Sequence, residues 1–366
     1  MKPIRILQVV TIMNRGGLET MLMNYYRHIN RDKIQFDFLV HREEEGHYDK
    51  EILALGGRIY RMPQIRPGNY RKYFKLLDEF FLLHNEYKIV HSHINENSSF
   101  VLKAAKKAGV PGRIAHSHLS DLGIDLKLPF RLYARFNMKD NPSDYFACSK
   151  NAGNWLFGKK IPKKITILNN AVNANEFKFD INVRKKVRKE LNLEDQIIIG
   201  HIGRFNKQKN HTFIIDIFQE IIKRKPNSIL LLAGDGNLRT LMEKKVQKLG
   251  LSNSVRFLGV RNDISKLMQA FDVFLFPSLF EGLPVVLIEA QAAGLRCFAS
   301  DSITKESDIT GRVEFISLEE SSGKWAGKII KATYDREDTR NNISEKGYDT
   351  STMSKWLTNY YLNYAK

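Results

Sequence analysis

The 366-residue sequence has only two cysteines, Cys148 and Cys297, and they lie far apart in the chain. Two distant cysteines cannot supply the disulfide framework of a small secreted domain, and they fit a reducing compartment. No apolar run approaches the ~18 residues that a membrane-spanning helix needs. Residues 1–10 lack the long hydrophobic stretch and the cleavage site of a signal peptide. These absences favour a globular cytoplasmic protein.

The sequence also lacks an Asp-x-Asp motif, and no other convincing set of metal ligands replaces it. Two His-x-His pairs occur, His91-Ser92-His93 and His116-Ser117-His118, each at the end of an apolar run. A zinc site would need further ligands at suitable spacing, and no cysteine or acidic pair lies nearby. We therefore expect no metal ion, and the pairs remain candidates for hydrogen-bonded structural histidines or for ligand contacts.

The sequence has fewer acidic than basic residues. It contains 58 lysines and arginines and 40 aspartates and glutamates, which gives a formal net charge of +18. Residues 1–175 carry +12 of this excess and the rest of the chain +6. A basic surface attracts anionic lipid, nucleic acid or phosphorylated substrates. No nucleic-acid recognition motif accompanies the charge, so nucleic-acid binding is the weakest of these interpretations.

Short apolar runs alternate with helix-like patterns along the whole chain, which predicts parallel sheets covered by helices. A polar stretch over residues 173–195, with a Lys/Arg-rich helix in it, interrupts the alternation and is interpreted as a linker. The sequence therefore predicts two doubly wound α/β domains, at residues 1–175 and 176–345. Residues 343–365 read as helical and aromatic, and residues 346–366 form the predicted terminal helix.

The most informative stretch is residues 277–289, in which a strand ending at Phe276 is followed by a Gly/Pro turn and a helix start at Pro284. Glu281 lies in the turn and Glu289 lies inside the helix, roughly 8–10 Å apart by helical rise. Such a pair suits two hydroxyl groups of one extended ligand. A helix-capping glutamate and an ordinary surface glutamate are the structural alternative.

Two further loops have glycines where a strand meets a helix. Gly203-Arg204 and Lys209 follow the strand 197–202, and two cations on one such loop suit a diphosphate. Gly16-Gly17 follows the first strand, and its backbone N–H groups could approach an anion at the helix start. Each is a moderate or weak signal alone, because exposed loop cations and plain tight turns look the same.

Taken in order, these elements resemble those of retaining glycosyltransferases of family 4, which have the GT-B fold. The resemblance rests on Gly16-Gly17-Leu18-Glu19, the second His-x-His pair, residues 169–173, the Gly203–Asn210 loop and the Glu281/Glu289 pair. It covers nearly the full chain. It implies two Rossmann-like domains facing a cleft, with the terminal helix crossing back onto the first domain.

The resemblance also assigns roles to residues. His118, or alternatively His116, would contact the donor sugar, Glu281 would bind its hydroxyls, and Arg204 and Lys209 would grip the diphosphate. The remaining donor-binding positions implied are Gly16, Gly17, Gly203, Gly234, Arg261, Gly282, Leu283 and Glu289. Ile303-Thr304-Lys305-Glu306 replaces the glycine pair and glutamate found in many members, so contacts made there in the family are not expected here.

The expected reaction is transfer of a hexose from a nucleotide-sugar, with UDP as the expected nucleotide, to an acceptor hydroxyl with retention and without a metal cofactor. The variants of the family motifs at His116-Ser117-His118 and at Ala171 resemble those of bacterial exopolysaccharide and capsule transferases. This resemblance implies a polyprenyl-diphosphate-linked acceptor. A sugar-nucleotide epimerase on the same fold is the alternative.

A basic N-terminal domain suits peripheral binding to the inner face of an anionic membrane. Residues 127–139 are the first candidate contact, because Lys127, Arg131, Arg135 and Lys139 recur every four residues, with Phe130 or Phe136 available to insert. Arg66, Arg71 and Lys72 are the second. A solvated helix face is the structural alternative for both.

Overall fold

In the computed structural model, which describes residues 2–66, 68–118, 128–158 and 164–364, the chain forms two compact units. Unit 1 comprises Met1–Ala171 and Thr350–Lys366, and unit 2 comprises Val172–Asp349. The sequence expectation placed these boundaries at 175/176 and 345/346. Each unit has its own parallel sheet, with apolar clusters on both faces.

Unit 1 is built around a seven-stranded sheet of order β3-β2-β1-β4-β5-β6-β7. Its strands are β1 (Ile4–Val10), β2 (Ile34–Val40), β3 (Ile59–Arg61), β4 (Ile89–Ser92), β5 (Gly112–Ser117), β6 (Asp144–Ala147) and β7 (Thr166–Ile167). Its helices are α1 (Gly17–His28), α2 (Asp49–Ala54), α3 (Tyr70–Leu83), α4 (Ser98–Lys107), α5 (Leu128–Phe136) and α6 (Lys150–Phe157), and α15 (Thr350–Tyr364) joins them from the end of the chain.

Unit 2 has a six-stranded sheet of order β10-β9-β8-β11-β12-β13. The strands are β8 (Ile197–Ile202), β9 (Ser228–Ala233), β10 (Val255–Gly259), β11 (Val273–Phe276), β12 (Arg296–Ser300) and β13 (Val313–Ile316). The helices are α7 (Ala174–Phe177), α8 (Ile181–Glu190), α9 (His211–Arg224), α10 (Arg239–Lys248), α11 (Ile264–Ala270), α12 (Val285–Ala292), α13 (Ser322–Lys331) and α14 (Arg340–Glu345).

Both sheets are parallel throughout, so the prediction of two doubly wound α/β domains is confirmed. The strand order reverses direction between β1 and β4 in unit 1 and between β8 and β11 in unit 2. In open parallel sheets, ligands bind beyond the carboxyl ends of the strands at such a reversal. These two places therefore position the candidate site residues.

The linker interpretation of residues 173–195 is wrong. Helices α7 and α8 lie in this stretch, and they belong to unit 2. Its few apolar side chains, among them Phe177, Val187 and Leu193, are buried in the unit 2 core. The polar composition reflects the exposed face of α8, while a short apolar face holds the helix on the domain.

The C-terminal region is two helices, although the sequence predicted one. Helix α14 ends at Glu345, Gly347 adopts a φ of +74°, and α15 begins at Thr350. A positive φ of this size is strained for residues other than glycine and ends a helix cleanly. The break separates α14, which lies in unit 2, from α15, which buries Leu357 and Tyr361 against the unit 1 sheet.

Candidate active site

In unit 2, the loops after β8 and β11 are joined at the strand-order reversal. The backbone N–H of Leu279 donates to Gln208 O at 2.8 Å. The Gln208 side chain donates to Phe280 O at 3.0 Å, and the Asn210 side chain donates to Pro277 O at 3.1 Å. These bonds connect residues about seventy positions apart and fix the two predicted donor loops as one structure.

The centre of this structure is an ion pair between two predicted catalytic residues. Lys209 Nζ lies 2.6 Å from Glu281 Oε1, and Gln208 Nε2 donates to Glu281 Oε2 at 3.1 Å. The two charged side chains are only 15% and 9% exposed. Lys209 Nζ also lies 4.7 Å from the centre of the Phe276 ring, a favourable cation–π distance. Each buried charge is therefore compensated within the protein.

Arg204 lies on the same loop in a different environment. Its side chain is exposed, and it makes no hydrogen bond or ion pair with any described residue. Of the two cations that the sequence predicted for a diphosphate, Arg204 is therefore free, whereas Lys209 is engaged. An anionic ligand could meet Arg204 directly but would have to compete with Glu281 for Lys209.

Two of the predicted glycines, Gly203 and Gly234, lie in close contact with neighbouring atoms. A Cβ atom on Gly234, whose φ is +135°, would lie 2.1 Å from Gly203 O, and a Cβ on Gly203 would lie 2.9 Å from His201 Nε2. Gly203 N donates to Ala233 O, and Gly234 N donates to Gly259 O. The ends of β8, β9 and β10 are thus hydrogen-bonded to one another, and only glycine fits at position 234.

The other predicted donor residues of unit 2 differ in accessibility. Arg261 forms a two-bond ion pair with Asp263, at 2.8 and 2.6 Å. Gly282 is exposed, with open space where a Cβ would stand, whereas the Leu283 side chain is buried in the core. Leu283 can therefore offer a ligand only its backbone.

Glu289, on α12, has an unusual carboxyl group. It is half-buried and has no hydrogen bond or ion pair within the described part of the chain. Burial raises its pKa to about 7, and the negative charge of Glu176 adds to the rise. The Glu289 carboxyl group therefore has no polar partner among the described residues. A hydroxyl group of a ligand could become that partner.

In unit 1, Gly16 and Gly17 form the N-terminus of α1, as predicted from the sequence. Gly17 is exposed and has open space around its missing side chain. A Cβ on Gly16 would meet Glu19 Oε2 at 2.2 Å, so the Glu19 carboxylate lies over the start of its own helix. A carboxylate is favourable at the positive end of a helix, and an incoming phosphate would compete with it.

The two His-x-His pairs form a single cluster, because β4 and β5 are neighbouring strands. His91 Nε2 lies 3.1 Å from His116 Nδ1, and His93 Nδ1 lies 2.9 Å from His118 Nε2. Burial lowers the pKa of all four imidazoles, that of His118 to about 3. The cluster is therefore neutral at physiological pH. His116 is fully buried and His118 half-buried, so His118 is the more accessible of the two candidates.

The cluster also includes two residues that the sequence did not indicate. Tyr361 Oη lies 2.7 Å from His91 Nδ1, and Gln8 Oε1 lies 2.9 Å from His93 Nε2. Both are fully buried. Gln8 could have been suspected, as a polar residue within the apolar strand β1. Tyr361 gave no such signal, because its position depends on the path of α15.

His91, His93 and His116 each place a ring nitrogen within 4.8 Å of the others, close enough to consider a metal ion. The same rings also form a hydrogen-bonded stack. The His91 and His93 rings are stacked at 4.3 Å with planes 25° apart. Imidazole ligands bind zinc through in-plane lone pairs at ~2.0–2.1 Å. In the structure, both ring nitrogens of His91 and of His93 have hydrogen-bond partners within the cluster.

Comparisons with known proteins agree with this architecture. The family model "Glycosyltransferase Family 4" matches residues 15–176, and "Glycosyl transferases group 1" matches residues 183–350. The chain is 37% identical to the putative glycosyltransferase EpsF of Bacillus subtilis over 98% of this chain and 96% of that protein. The chain belongs to the family 4 glycosyltransferases. The enzyme class predicted from the sequence is confirmed.

More distant relatives and solved structures extend the picture. The capsular polysaccharide biosynthesis glycosyltransferase CapH of Staphylococcus aureus is 27% identical, with 90% of each chain covered. An Escherichia coli UDP-Gal:alpha-D-GlcNAc-diphosphoundecaprenol alpha-1,3-galactosyltransferase is 31% identical over 62% of this chain and 61% of that protein. The structure of Anabaena HepE with UDP and glucose aligns with a TM-score of 0.78 at 18% identity, covering 98% of this chain and all of that one. The glycosyltransferase therefore has the GT-B fold.

Proposed function

We propose that this glycosyltransferase moves a hexose from a UDP-sugar to a hydroxyl of a lipid-linked glycan, with retention at the anomeric carbon. The observation that carries the proposal is the joined loop pair of unit 2, with an exposed Arg204 beside the Lys209–Glu281 pair. A nucleoside diphosphate leaving group develops negative charge that fixed cations stabilise. The UDP bound in the Anabaena structure and the UDP-Gal donor of the E. coli relative support the choice of nucleotide.

In this proposal, donor binding exchanges the partners of Lys209. The diphosphate would accept from Arg204 and Lys209, and Glu281 would be released to accept from hydroxyls of the sugar. Glu289 would accept from the ribose, a role supported by its partnerless carboxyl group. Gly203, Gly234, Gly282, Leu283, Gly16 and Gly17 would contribute backbone groups, and Arg261 would flank the base. His118 would contact the sugar.

Retention by double displacement would require a carboxylate beside the anomeric carbon. The carboxylate of Glu96, which follows β4, is buried and lies 3.9 Å from Arg131, so it is already engaged within unit 1. We therefore favour attack on the same face of the sugar through an ion-pair-like state. We also expect no catalytic metal, so that activity persists in excess EDTA. Activity lost with EDTA and restored by Mn²⁺ would contradict this expectation.

The proposed acceptor is based on the relatives. The name of the E. coli enzyme describes a sugar linked to diphosphoundecaprenol as its acceptor. Thermal-shift screening of the wild type against UDP-, GDP- and ADP-sugars tests the donor, and we expect stabilisation by a UDP-sugar. Product NMR then tests retention through the anomeric configuration. Release of free UDP or of an epimerised sugar without any acceptor would instead indicate an epimerase.

Membrane binding at the inner face of the bilayer remains part of the proposal, with a changed contact surface. Arg131 faces Glu96, and Arg135 donates to Leu156 O and stacks on Trp155, so these two cations of the predicted basic stripe are engaged within unit 1. Lys139, after the end of α5, is exposed. Lys127 lies outside the described residues. None of the described helices is long and apolar enough to cross a bilayer.

The exposed face of α5 is apolar. Leu132, Tyr133 and Phe136 are 48%, 59% and 77% exposed. Phe100 connects this face to α3, because its ring lies 6.3 Å from Tyr133 and 5.5 Å from Phe74. Exposed basic side chains flank Phe74 on α3, namely Arg71, Lys72 and Lys75. Aromatic side chains beside cations suit the interface of an anionic membrane.

Vesicle sedimentation tests this surface. The wild type should pellet with anionic vesicles and less so as salt rises. Tyr133→Ser with Phe136→Ser should weaken pelleting, whereas Leu241→Ser, at a 57% exposed position of unit 2, should not. If the double variant pellets like the wild type, α5 is not the contact. If the wild type never pellets, the membrane assignment fails.

A further inference from the structure

The histidine cluster of unit 1 is organised by a single amide side chain. Gln8 is fully buried on β1, next to β4. Its Oε1 lies 2.9 Å from His93 Nε2, and its Nε2 lies 3.4 Å from Tyr361 Oη. An amide has distinct donor and acceptor ends, so Gln8 imposes a direction on every hydrogen bond connected to it.

The branch through His93 ends at the predicted sugar contact. The amide oxygen of Gln8 can only accept, so the proton of neutral His93 is on Nε2. His93 Nδ1 is then a lone pair, and the 2.9 Å contact requires His118 Nε2–H to donate to it. His118 Nδ1 is left as a lone pair without a partner among the described residues.

The branch through Tyr361 runs in the direction that matches this orientation of the amide. Gln8 Nε2 donates to Tyr361 Oη, which donates its own proton to His91 Nδ1 at 2.7 Å. His91 Nε2–H then donates to His116 Nδ1 at 3.1 Å. Turning the Gln8 amide over would reverse every bond in both branches. Because α15 supplies Tyr361, the last helix of the chain takes part in setting the state of His118.

We infer that Gln8 and His93 are positioning residues that fix His118 as a hydrogen-bond acceptor for a hydroxyl group of the donor sugar. The inference rests on the proposed function, which brings a sugar to His118. The imidazole is also held in place at its backbone, because His118 N–H donates to Asn95 Oδ1 at 3.0 Å. His118 in this state recognises a neutral hydroxyl donor, and it supplies no proton to the reaction.

The tautomer can be measured directly. In histidine-labelled wild type at pH 7, ¹⁵N NMR should show His118 protonated at Nε2 and unprotonated at Nδ1, with the signals assigned by their loss in His118→Asn. Gln8→Met removes the acceptor of His93 and should leave His118 as a mixture of both tautomers. Tyr361→Phe should shift the populations in the same direction, because the amide loses its second hydrogen-bond partner.

Binding measurements separate positioning from a general structural effect. Gln8→Met should weaken binding of UDP-glucose or UDP-galactose, whichever stabilises the wild type, by about tenfold, the effect of losing roughly one hydrogen bond. Binding of free UDP, which has no sugar, should be unchanged. Two controls remove similar bonds elsewhere in unit 1. These are Gln35→Met, at the amide that Tyr26 contacts, and Tyr87→Phe, at the hydroxyl that Asp37 accepts from. Neither should change the His118 tautomer or the sugar-dependent binding.

Three results would overturn the inference. The first is protonation of His118 at Nδ1 in the wild type. This measurement does not depend on whether any variant folds. The second is an unchanged His118 tautomer in Gln8→Met. The third is an equal loss of UDP and UDP-sugar binding in that variant. Failure of the wild type to bind any nucleotide-sugar would instead contradict the proposed function, while the tautomer result would still stand.

Discussion

At the scale of single residues, Arg204 and Lys209 carry the same charge on one loop. They differ in whether their removal leaves another charged side chain without its partner. Arg204 has no partner in the described structure, and its side chain is exposed. Lys209 neutralises Glu281, whose side chain is 9% exposed. Removing one partner of a shielded ion pair leaves the other charge uncompensated.

We therefore predict that Arg204→Ala and Lys209→Ala each reduce transfer at least about tenfold, ~1.4 kcal/mol of transition-state stabilisation. Only Lys209→Ala should also lower the free energy of unfolding, by about 1–3 kcal/mol. Glu281→Gln added to Lys209→Ala should restore stability without restoring activity. Urea unfolding and transfer rates measure the two effects. A folded Arg204→Ala or Lys209→Ala protein with near-normal rates would remove the diphosphate role.

Glu289 gives a second prediction at this scale, with a defined pH dependence. Its pKa is raised from 4.5 to about 7 in the folded protein. A raised pKa means that the folded state favours the protonated carboxyl. The stability associated with this group is therefore fully present below pH ~4.5 and is lost as pH rises to about 7. Glutamine at this position cannot ionise and avoids the loss.

Glu289→Gln should accordingly be more stable than the wild type at pH 8, by at most about 3 kcal/mol, and by a much smaller margin at pH 5. Its affinity for the nucleotide-sugar should fall, because an amide oxygen is a weaker acceptor for the ribose than a carboxylate. Urea unfolding at both pH values and donor titration check these outcomes. An equal gain in stability at pH 5 and pH 8 would mean that ionisation of Glu289 is not its cause.

At the scale of secondary-structure elements, the strands were predictable because their contiguous apolar runs are the signature of a buried parallel sheet. The strand 197–202 has the predicted limits, and the strand predicted to end at Phe276 does end there. The wrong predictions concern the linker at residues 173–195 and the single terminal helix. Phe177, Val187 and Leu193 anchor a stretch that is otherwise polar, and Gly347 ends a helix whose pattern continues on both sides of it.

The site was predictable only as separate loops. Strand–turn–helix patterns placed Lys209 and Glu281 on two loops, but no local pattern shows that their side chains meet across 72 residues. The same limit applies to Gln8 and His93, which are 85 residues apart. Such contacts depend on strand order, since β1 lies beside β4 and β8 beside β11. Periodicity along the sequence carries no information about that order.

Helix α15 gives the prediction at this scale. It buries Leu357 and Tyr361 in the same apolar cluster as strands β1, β2, β4 and β5, and Tyr361 is the partner of His91. A protein ending at Asp349 would expose this cluster. We expect it to aggregate or to lose cooperative unfolding of unit 1. A matched Trp356→Ser variant, at a 39% exposed position of the same helix, should fold normally. Cooperative unfolding of the truncated protein would show that unit 1 does not need α15.

At the scale of the whole molecule, the two units differ in how the chain builds them. Unit 2 is a single continuous segment, Val172–Asp349, whereas unit 1 needs both ends of the chain. Residues 172–174 and 348–349 also close unit 2 on itself. Val172 N–H donates to Tyr348 O at 2.8 Å, and Ala174 N–H donates to Asp349 Oδ1 at 3.3 Å. A continuous segment with its own core and joined ends has the features of an independently folding domain.

We therefore predict that the fragment 172–349 folds alone and binds the nucleoside diphosphate, because Arg204, Lys209 and Glu289 all lie within it. Circular dichroism should show a cooperative thermal transition, and calorimetry should detect UDP. Arg204→Ala in the fragment should weaken UDP binding, while transfer should be absent because His118 and the rest of unit 1 are missing. A folded fragment that binds no nucleoside diphosphate would place essential binding groups in unit 1. The Gly16-Gly17 helix start would then be the first candidate, since it is the other predicted phosphate contact.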